Sequence, residues 1–262
     1  MLERRLTFYC GATGLTLFQL DKLKKLAGYF SSDVQVFNLQ LLRAESVRNS
    51  LRVSTLASKP YQLCQLIITG ADAELALLVL TDFIHEYACP LLFSSSGSKG
   101  NDILKQHMAL LDFPLSFITA KQVQTVQDKA SLLGTLTRSL VEEKVIKTDD
   151  YQAVLSAIEK RESISATVMA EGIAMPHVMI EPILQPAMVT SCCQEMDWQS
   201  PRGNISKVLM MVLPKPSPRP VLMAFSRFSK QLLQESYAQA LRQASDSHVL
   251  QALIIEAMLA SD

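Results

Sequence analysis

The chain has 262 residues, enough for one large or two ordinary domains. Lys and Arg number 25, as do Asp and Glu, so the formal net charge is zero and no basic footprint argues for nucleic acid. The five cysteines (Cys10, Cys64, Cys89, Cys192, Cys193) are an odd set with no CxxC pair and no zinc spacing, which implies buried thiols in a reducing cytosol. The opening MLERRLTFYC lacks the apolar core of a signal peptide, and runs such as Leu75–Leu80 are far too short to span a bilayer. The expectation is a soluble cytoplasmic protein with no direct membrane insertion.

Leu6, Phe8 and Cys10 alternate with Arg5, Thr7 and Tyr9, the period of a half-buried strand. Gly11-Ala12-Thr13-Gly14 breaks it, and Leu20, Leu23, Ala27 and Phe30 then recur at helical spacing, with Lys22, Lys24 and Lys25 on the other face. Asp33–Phe37 is a short β-rich run, Glu45–Leu51 reads as a helical turn or two, and Gln62–Thr69 is the next strong strand. Gly70 and Asp72 introduce a second long helix with Ala76, Val79, Leu80, Phe83 and Tyr87 on one face. Strands interleaved in this way predict an α+β layer arrangement, an open sheet covered on one side.

Over Arg4–Ala88 the order and spacing resemble HPr, the histidine-containing phosphocarrier of the sugar phosphotransferase system. Gly14-Leu15 stands where that family has Gly-Leu-His-Ala-Arg-Pro, and Arg43-Ala44-Glu45-Ser46 where it has an Ala-Lys-Ser helix start. The resemblance implies an open-faced β-sandwich. It also exposes a departure, because Thr16 occupies the phosphoacceptor histidine position and Phe18 the arginine position. A phosphothreonine ester is too stable to pass its group on, so residues 1–90 are expected to keep the fold without the chemistry. Ser46 matches a regulatory serine of some members, and a serine at a helix start is also a common N-cap.

Pro90–Asn101, rich in Ser and Gly, is the most linker-like stretch. It sets a join over residues 91–112, within which Asp102–Leu111 reads as a short helix. From Asp128 the helical period returns through Leu132, Leu133, Leu136 and Leu140. A second helix follows with Tyr151, Val154, Leu155 and Ile158 inward, Thr148 or Asp149 as its cap, and Lys160 and Arg161 at its C-terminal end, where the macrodipole favours cations. Ala187–Cys192 and Lys207–Leu213 read as strands, Val221–Leu233 as a helix, and a closing helix runs through Val249, Leu250, Leu253 and Ile254. The pattern predicts an α/β domain over 113–262 with a mixed sheet flanked by helices.

Between these elements lies Arg161–His177, RESISATVMAEGIAMPH. A small-apolar run ending in Pro-His reads as a strand entering a rigid turn, since Pro176 fixes its own φ and biases Met175 towards extended geometry. His177 is thereby aimed. Arg161, Glu162, Thr167, Gly172, Ile173, Ala174, Pro176 and His177 fall in register with the phosphorylation-site segment of the fructose, mannitol and nitrogen-related enzyme IIA family, which this region resembles over Phe113–Asp262.

That resemblance implies that His177 is the phosphoacceptor, that Arg161 stabilises the phosphoryl group, and that neither metal nor cofactor is needed. Its implied partners are HPr, or an HPr-containing donor, and the enzyme IIB of a fructose- or hexitol-type transporter. The second histidine often present in the family falls at Val221, and its Gly-Asn-Gly is here Ala170-Glu171-Gly172, which places a carboxylate near the acceptor. The alternative class is a non-enzymatic regulator that binds a transcription factor or transporter. A hydrolase using His177 lacks a nucleophile motif such as GxSxG. His85, His107 and His248 read as structural or surface residues without partners.

Overall fold

The structure is a computed structural model that describes residues 1–87, 90–92, 99–120, 126 and 128–260. Cys89 and the Ser94–Ser98 core of the join lie outside the described residues. Contacts divide the chain into two units, Met1–Leu110 with Asp246–Ser261, and Leu111–Ser245.

In the first unit, β1 (Glu3–Tyr9) leads to α1 (Leu17–Ala27), β2 (Asp33–Asn38), β3 (Arg43–Ser46), α2 (Ser50–Leu56), β4 (Leu63–Thr69), α3 (Ala73–Glu86) and α4 (Lys99–Met108). The four strands form an antiparallel sheet in the order β1-β4-β2-β3. Leu6, Phe8, Val36 and Leu66 from one face pack with Leu20 and Leu23 of α1, Val53 of α2, and Ala76 and Leu80 of α3. Each fully buried Leu or Phe contributes about 1.5–3 kcal/mol. Glu45–Leu51 is not one helix. Arg43–Ser46 extends as β3 against β2, and α2 starts at Ser50, with Asn49 accepting from the Arg52 amide at 3.3 Å. Ser46 therefore ends a strand and is not an N-cap; its Oγ accepts from the Arg48 amide at 3.3 Å.

Thr16 is an N-cap. Its Oγ1 accepts from the Gln19 amide at 3.3 Å, while Gln19 Oε1 accepts from the Thr16 amide at 2.8 Å, closing a capping box. The other face of the sheet is not left open along its length. Tyr9 and Leu63 are fully buried there, where α4 packs on β1 and the C-terminal helix (Ser247–Leu259) packs on β4 and α4. The first unit thus takes up two segments that the sequence boundary had placed in the join and in the second domain.

The C-terminal helix brings Glu256 into this cover. Gln40 Nε2 donates to its carboxylate at 2.9 Å, the Tyr9 hydroxyl donates at 3.5 Å, and His107 Nδ1 of α4 pairs with it. Burial, reinforced by the Glu256 charge, pushes the Tyr9 hydroxyl far above its ordinary value, so it remains a donor. His107 therefore has a partner, one 149 positions away.

In the second unit, β5 (Ser116–Thr119) precedes α5 (Lys129–Glu142), capped by Asp128 through the Ser131 amide at 2.9 Å. A 3-10 turn over Thr148–Asp150 leads into α6 (Tyr151–Ile164), and neither Thr148 nor Asp149 caps it. Three short strands follow: β6 (Val168–Ala170), β7 (Gly172–Ala174) and β8 (His177–Ile180). β9 (Ala187–Met196), β10 (Ile205–Pro214), α7 (Arg219–Leu232) and α8 (Glu235–Gln243) complete the unit. The mixed sheet runs β5-β9-β10-β7-β6, with β8 also on β10.

Val208, Met210 and Val212 of β10 face a core built with Leu132, Leu136, Val154 and Ile158 of α5 and α6. Lys207, on the opposite face, is 2% exposed and donates from Nζ to Leu241 O at 2.6 Å and to Ala244 O at the end of α8. Burial pulls its pKa down, while the helix C-terminus supplies the carbonyls and negative dipole that an ammonium needs. Helices on both faces of a mixed sheet match the fold class expected from sequence.

Asp72, before α3, accepts from the Ser31 amide at 2.7 Å and the Ser32 amide at 2.9 Å, as well as from Ser32 Oγ. The hydrogen bonds from Ser32 and Ser31 lower its pKa from 3.8 to about 2. A depressed carboxylate contributes stability that is complete above its ordinary value and lost as pH falls through the folded one. Denaturant titrations at about pH 5 and about pH 2 should show a smaller acid loss in Asp72→Asn than in wild type.

Candidate functional site

The site forms where the run of chain beside β10 is interrupted. β7 and β8 both run parallel to β10, β7 beside Ile205–Val208 and β8 beside Met211–Pro214, with Met175-Pro176 between them. Proline has no amide hydrogen to give to a ladder and is tolerated at strand starts and edges. The interruption is nevertheless bonded on both sides. The Met175 amide donates to Thr167 O at 2.9 Å, and Pro176 O accepts from the Met211 amide at 2.8 Å.

His177 is the first residue beyond the break, half-buried, and its Nδ1 lies 2.9 Å from Met175 O. A carbonyl only accepts, so Nδ1 carries the proton and the lone pair of the neutral ring is on Nε2. Arg161 lies in the last turn of α6, the helix that packs on β8, and donates from Nη1 to Ser165 O at 3.2 Å. No hydrogen bond joins Arg161 to His177 among the described residues. The structure places the two on adjoining elements.

Glu171 makes its contacts away from His177. Its side chain is 80% exposed at the head of β7, where it meets Arg242 Nη1 at 3.3 Å, and all of β7 separates it from the Met175-Pro176 turn. The same Arg242 nitrogen donates to Glu171 O at 3.1 Å. Val221, where a second histidine was sought, is 1% exposed at the start of α7. Cys192 is exposed and Cys193 half-buried, which departs from the expectation of buried thiols. Burial, then the neighbouring Cys192, pushes the Cys193 thiol up to about 11. Among the described residues no group of three or more His, Cys, Asp or Glu is placed to hold a metal ion.

One residue matters more here than its motif position suggested. Glu162, beside Arg161, is a buried carboxylate, 4% exposed. It accepts from the Thr167 amide at 3.3 Å, from Thr167 Oγ1, and from Trp198 Nε1 at 2.9 Å, and it pairs with Lys129 Nζ at 2.9 Å. Lys129 also sits 4.9 Å from the Trp198 ring centroid. Glu162 and Thr167 belong to the motif, but sequence gave no sign of their partners, which lie on α5 and after β9. The one available signal was Glu162 itself, a charge four residues beyond Ile158 on the apolar face of α6.

The second unit is thus an α/β domain with a mixed sheet, a half-buried histidine just beyond a proline break beside β10, and a cation on the adjoining helix. The profile of the family described as "Phosphoenolpyruvate-dependent sugar phosphotransferase system, EIIA 2" matches residues 116–257, more than half of the chain, and the chain belongs to that family. The fructose-specific EIIABC component of Mycoplasma pneumoniae is 30% identical over 113 residues, 43% of this chain and 16% of that protein. The chain spans about a sixth of the length of the curated relatives it matches.

Two solved structures are also similar. The nitrogen regulatory protein IIA-Ntr of Neisseria meningitidis has a TM-score of 0.44 at 18% identity, covering 53% of this chain and 92% of that one. HPr-C-His of Thermoanaerobacter tengcongensis has a TM-score of 0.29 at 22% identity, covering 33% and 93%. No helix among the described residues is long and apolar enough to cross a membrane.

Gly172 holds the turn into β7 with φ +73°, and a Cβ there would lie 3.2 Å from Cδ of Arg242, a flexible side chain that can give way. The left-handed backbone then sets the cost. Gly172→Ala should lower unfolding free energy by about 1–2 kcal/mol in urea titrations.

Proposed function

We propose that the second unit is a phosphoryl carrier of a sugar phosphotransferase system and that His177 is its acceptor. The supporting observation is the bond from His177 Nδ1 to Met175 O, which leaves Nε2 as the nucleophilic atom in the region matched to the family. In this reading HPr, or an HPr-containing donor, presents its phosphohistidine to Nε2 in the cytoplasm. The Nε2 lone pair forms the new N–P bond as the donor N–P bond breaks. The Nδ1 proton stays in place, so the phosphorylated ring is cationic and its charge is met by the Met175 carbonyl.

From a cationic N-phosphoryl ring the neutral imidazole is a good leaving group, because Nε2 takes back its electron pair as the phosphoryl group bonds to a nucleophile on an enzyme IIB. A fructose- or hexitol-type IIB is the partner assigned, because the curated relatives are fructose-specific components. Transfer of this kind depends on alignment and on stabilising the equatorial oxygens more than on covalent assistance. Arg161 takes the second task, since a guanidinium has five N–H donors and the Ser165 carbonyl engages Nη1 alone.

Incubation with phosphoenolpyruvate and the general phosphotransferase proteins should give an acid-labile, base-stable label that is lost in His177→Ala. An unlabelled wild type overturns the proposal. Arg161→Gln should keep the fold and slow labelling by about 100–1000-fold, the range found when one oxyanion donor is removed, as read by quenched-flow incorporation.

The burial of Val221 and the capping role of Thr16 favour a second reading, a regulator that changes partners with its phosphorylation state. Pull-downs with His177→Asp and His177→Ala separate the two. A regulator exchanges partners between these variants, whereas a carrier only loses transfer.

A further inference from the structure

A continuous set of hydrogen bonds runs from the interior of the second unit to the imidazole of His177. Lys129 Nζ and Trp198 Nε1 each reach Glu162 at 2.9 Å. Glu162 holds Thr167 twice, through its amide at 3.3 Å and through Oγ1. Thr167 O receives the Met175 amide at 2.9 Å, and Met175 O receives His177 Nδ1 at 2.9 Å. We infer that Glu162 is a positioning residue for His177, acting through Thr167 and Met175 to fix the imidazole tautomer and direction. The inference rests on the acceptor role of His177 for its catalytic meaning, although the orientation it describes can be measured without any phosphoryl transfer.

The geometry supports a role beyond packing. Glu162 holds Thr167 at both its amide and its side chain, which restrains the φ and χ1 of that residue and through them the position of its carbonyl in the next peptide unit. That carbonyl fixes Met175, already restricted because it precedes a proline. Met175 O in turn meets the ring nitrogen. Glu162 also follows Arg161 on α6, so one buried carboxylate anchors the backbone of the cation and, through two residues, the ring of the acceptor.

A buried ion pair is a poor route to stability alone, since an apolar cluster of similar volume commonly does as well or better. A carboxylate that receives two donors from Thr167, an indole N–H and an ammonium is suited to setting an orientation. Trp198 is fully buried and Lys129 Nζ lies over its ring, which leaves the carboxylate little room to rotate.

The test uses the full chain, labelled with 15N, and reads the His177 ring nitrogens in long-range proton–nitrogen spectra above the pH at which the ring loses its charge. Wild type should show a protonated Nδ1 and a bare Nε2. Thr167→Val removes the Oγ1 donor and leaves the Lys129 and Trp198 partners of Glu162 intact. Glu162→Gln keeps the side-chain shape but replaces one acceptor oxygen with a donor. Both variants should shift the ring towards a mixture of tautomers and lower the labelling rate at saturating phosphorylated HPr about tenfold with KM unchanged, and Thr167→Ser should restore both.

Circular dichroism and thermal melts identify folded variants, and if Glu162→Gln does not fold, Thr167→Val decides the question. A folded Thr167→Val with the wild-type tautomer and rate overturns the inference. A wild type that takes no label but whose tautomer shifts in Thr167→Val overturns the acceptor reading and upholds the positioning role.

Discussion

Because Pro176 has no amide hydrogen, the chain beside β10 cannot run as one unbroken strand from Gly172 to Ile180, and the site depends on how that gap is resolved. The chain leaves the ladder for two residues, recruits Thr167 O and the Met211 amide as substitute partners, and resumes at His177. A histidine inside a regular strand would present its ring according to the pleat. At a restart the preceding carbonyl lies beside the ring, and the bond between Met175 O and Nδ1 becomes available. Aim and tautomer thus share one cause. The flanking sheet is rigid enough to impose it, since Val208, Met210 and Val212 are fully buried under α5 and α6.

Much of this was legible in sequence for a local reason. The constraints of proline and of its preceding residue act over two positions, so the GIAMPH run announced an aimed histidine directly. The helical periods of α1, α3, α5 and α6 were equally readable, because burial of one helix face needs only the chain's own spacing. Strand assignment of Arg43–Ser46 was not legible, since the run is polar and becomes β3 only by pairing with β2. Nor was α8 or β5 foreseen. Partners remote in sequence were hidden as well. Lys129 and Trp198 meet Glu162 from 33 positions before and 36 after it, and nothing in local pattern connects them. The His107 and Glu256 pair, which spans 149 positions, is the extreme case.

Thr16 shows how a position can lose one role and keep another. A capping box satisfies amides that an N-terminal helical turn leaves unpaired, and Thr and Gln three residues apart do so reciprocally. The residue found where a phosphoacceptor was sought is therefore well suited to holding α1 in place. The sheet beneath it is altered too. Tyr9, Gln40, His107 and Glu256 make a polar cluster over a face that the phosphocarrier resemblance led us to expect bare. Its buried carboxylate is matched by donors from a strand, a loop and a second helix, which limits the desolvation cost that an unpaired one would carry.

That cluster has a consequence for the birth of the protein. The Tyr9 hydroxyl and the Glu256 carboxylate are separated by 247 positions of chain. At about 5–20 residues per second of synthesis, β1 waits on the order of tens of seconds before the helix that covers its outer face exists. The second unit, Leu111–Ser245, is contiguous in sequence and is synthesised in full within that interval. The first unit to be started is thus the second to be finished, and the emerging chain carries Tyr9 and Leu63 uncovered, a surface for a chaperone to shield until the C-terminal helix arrives.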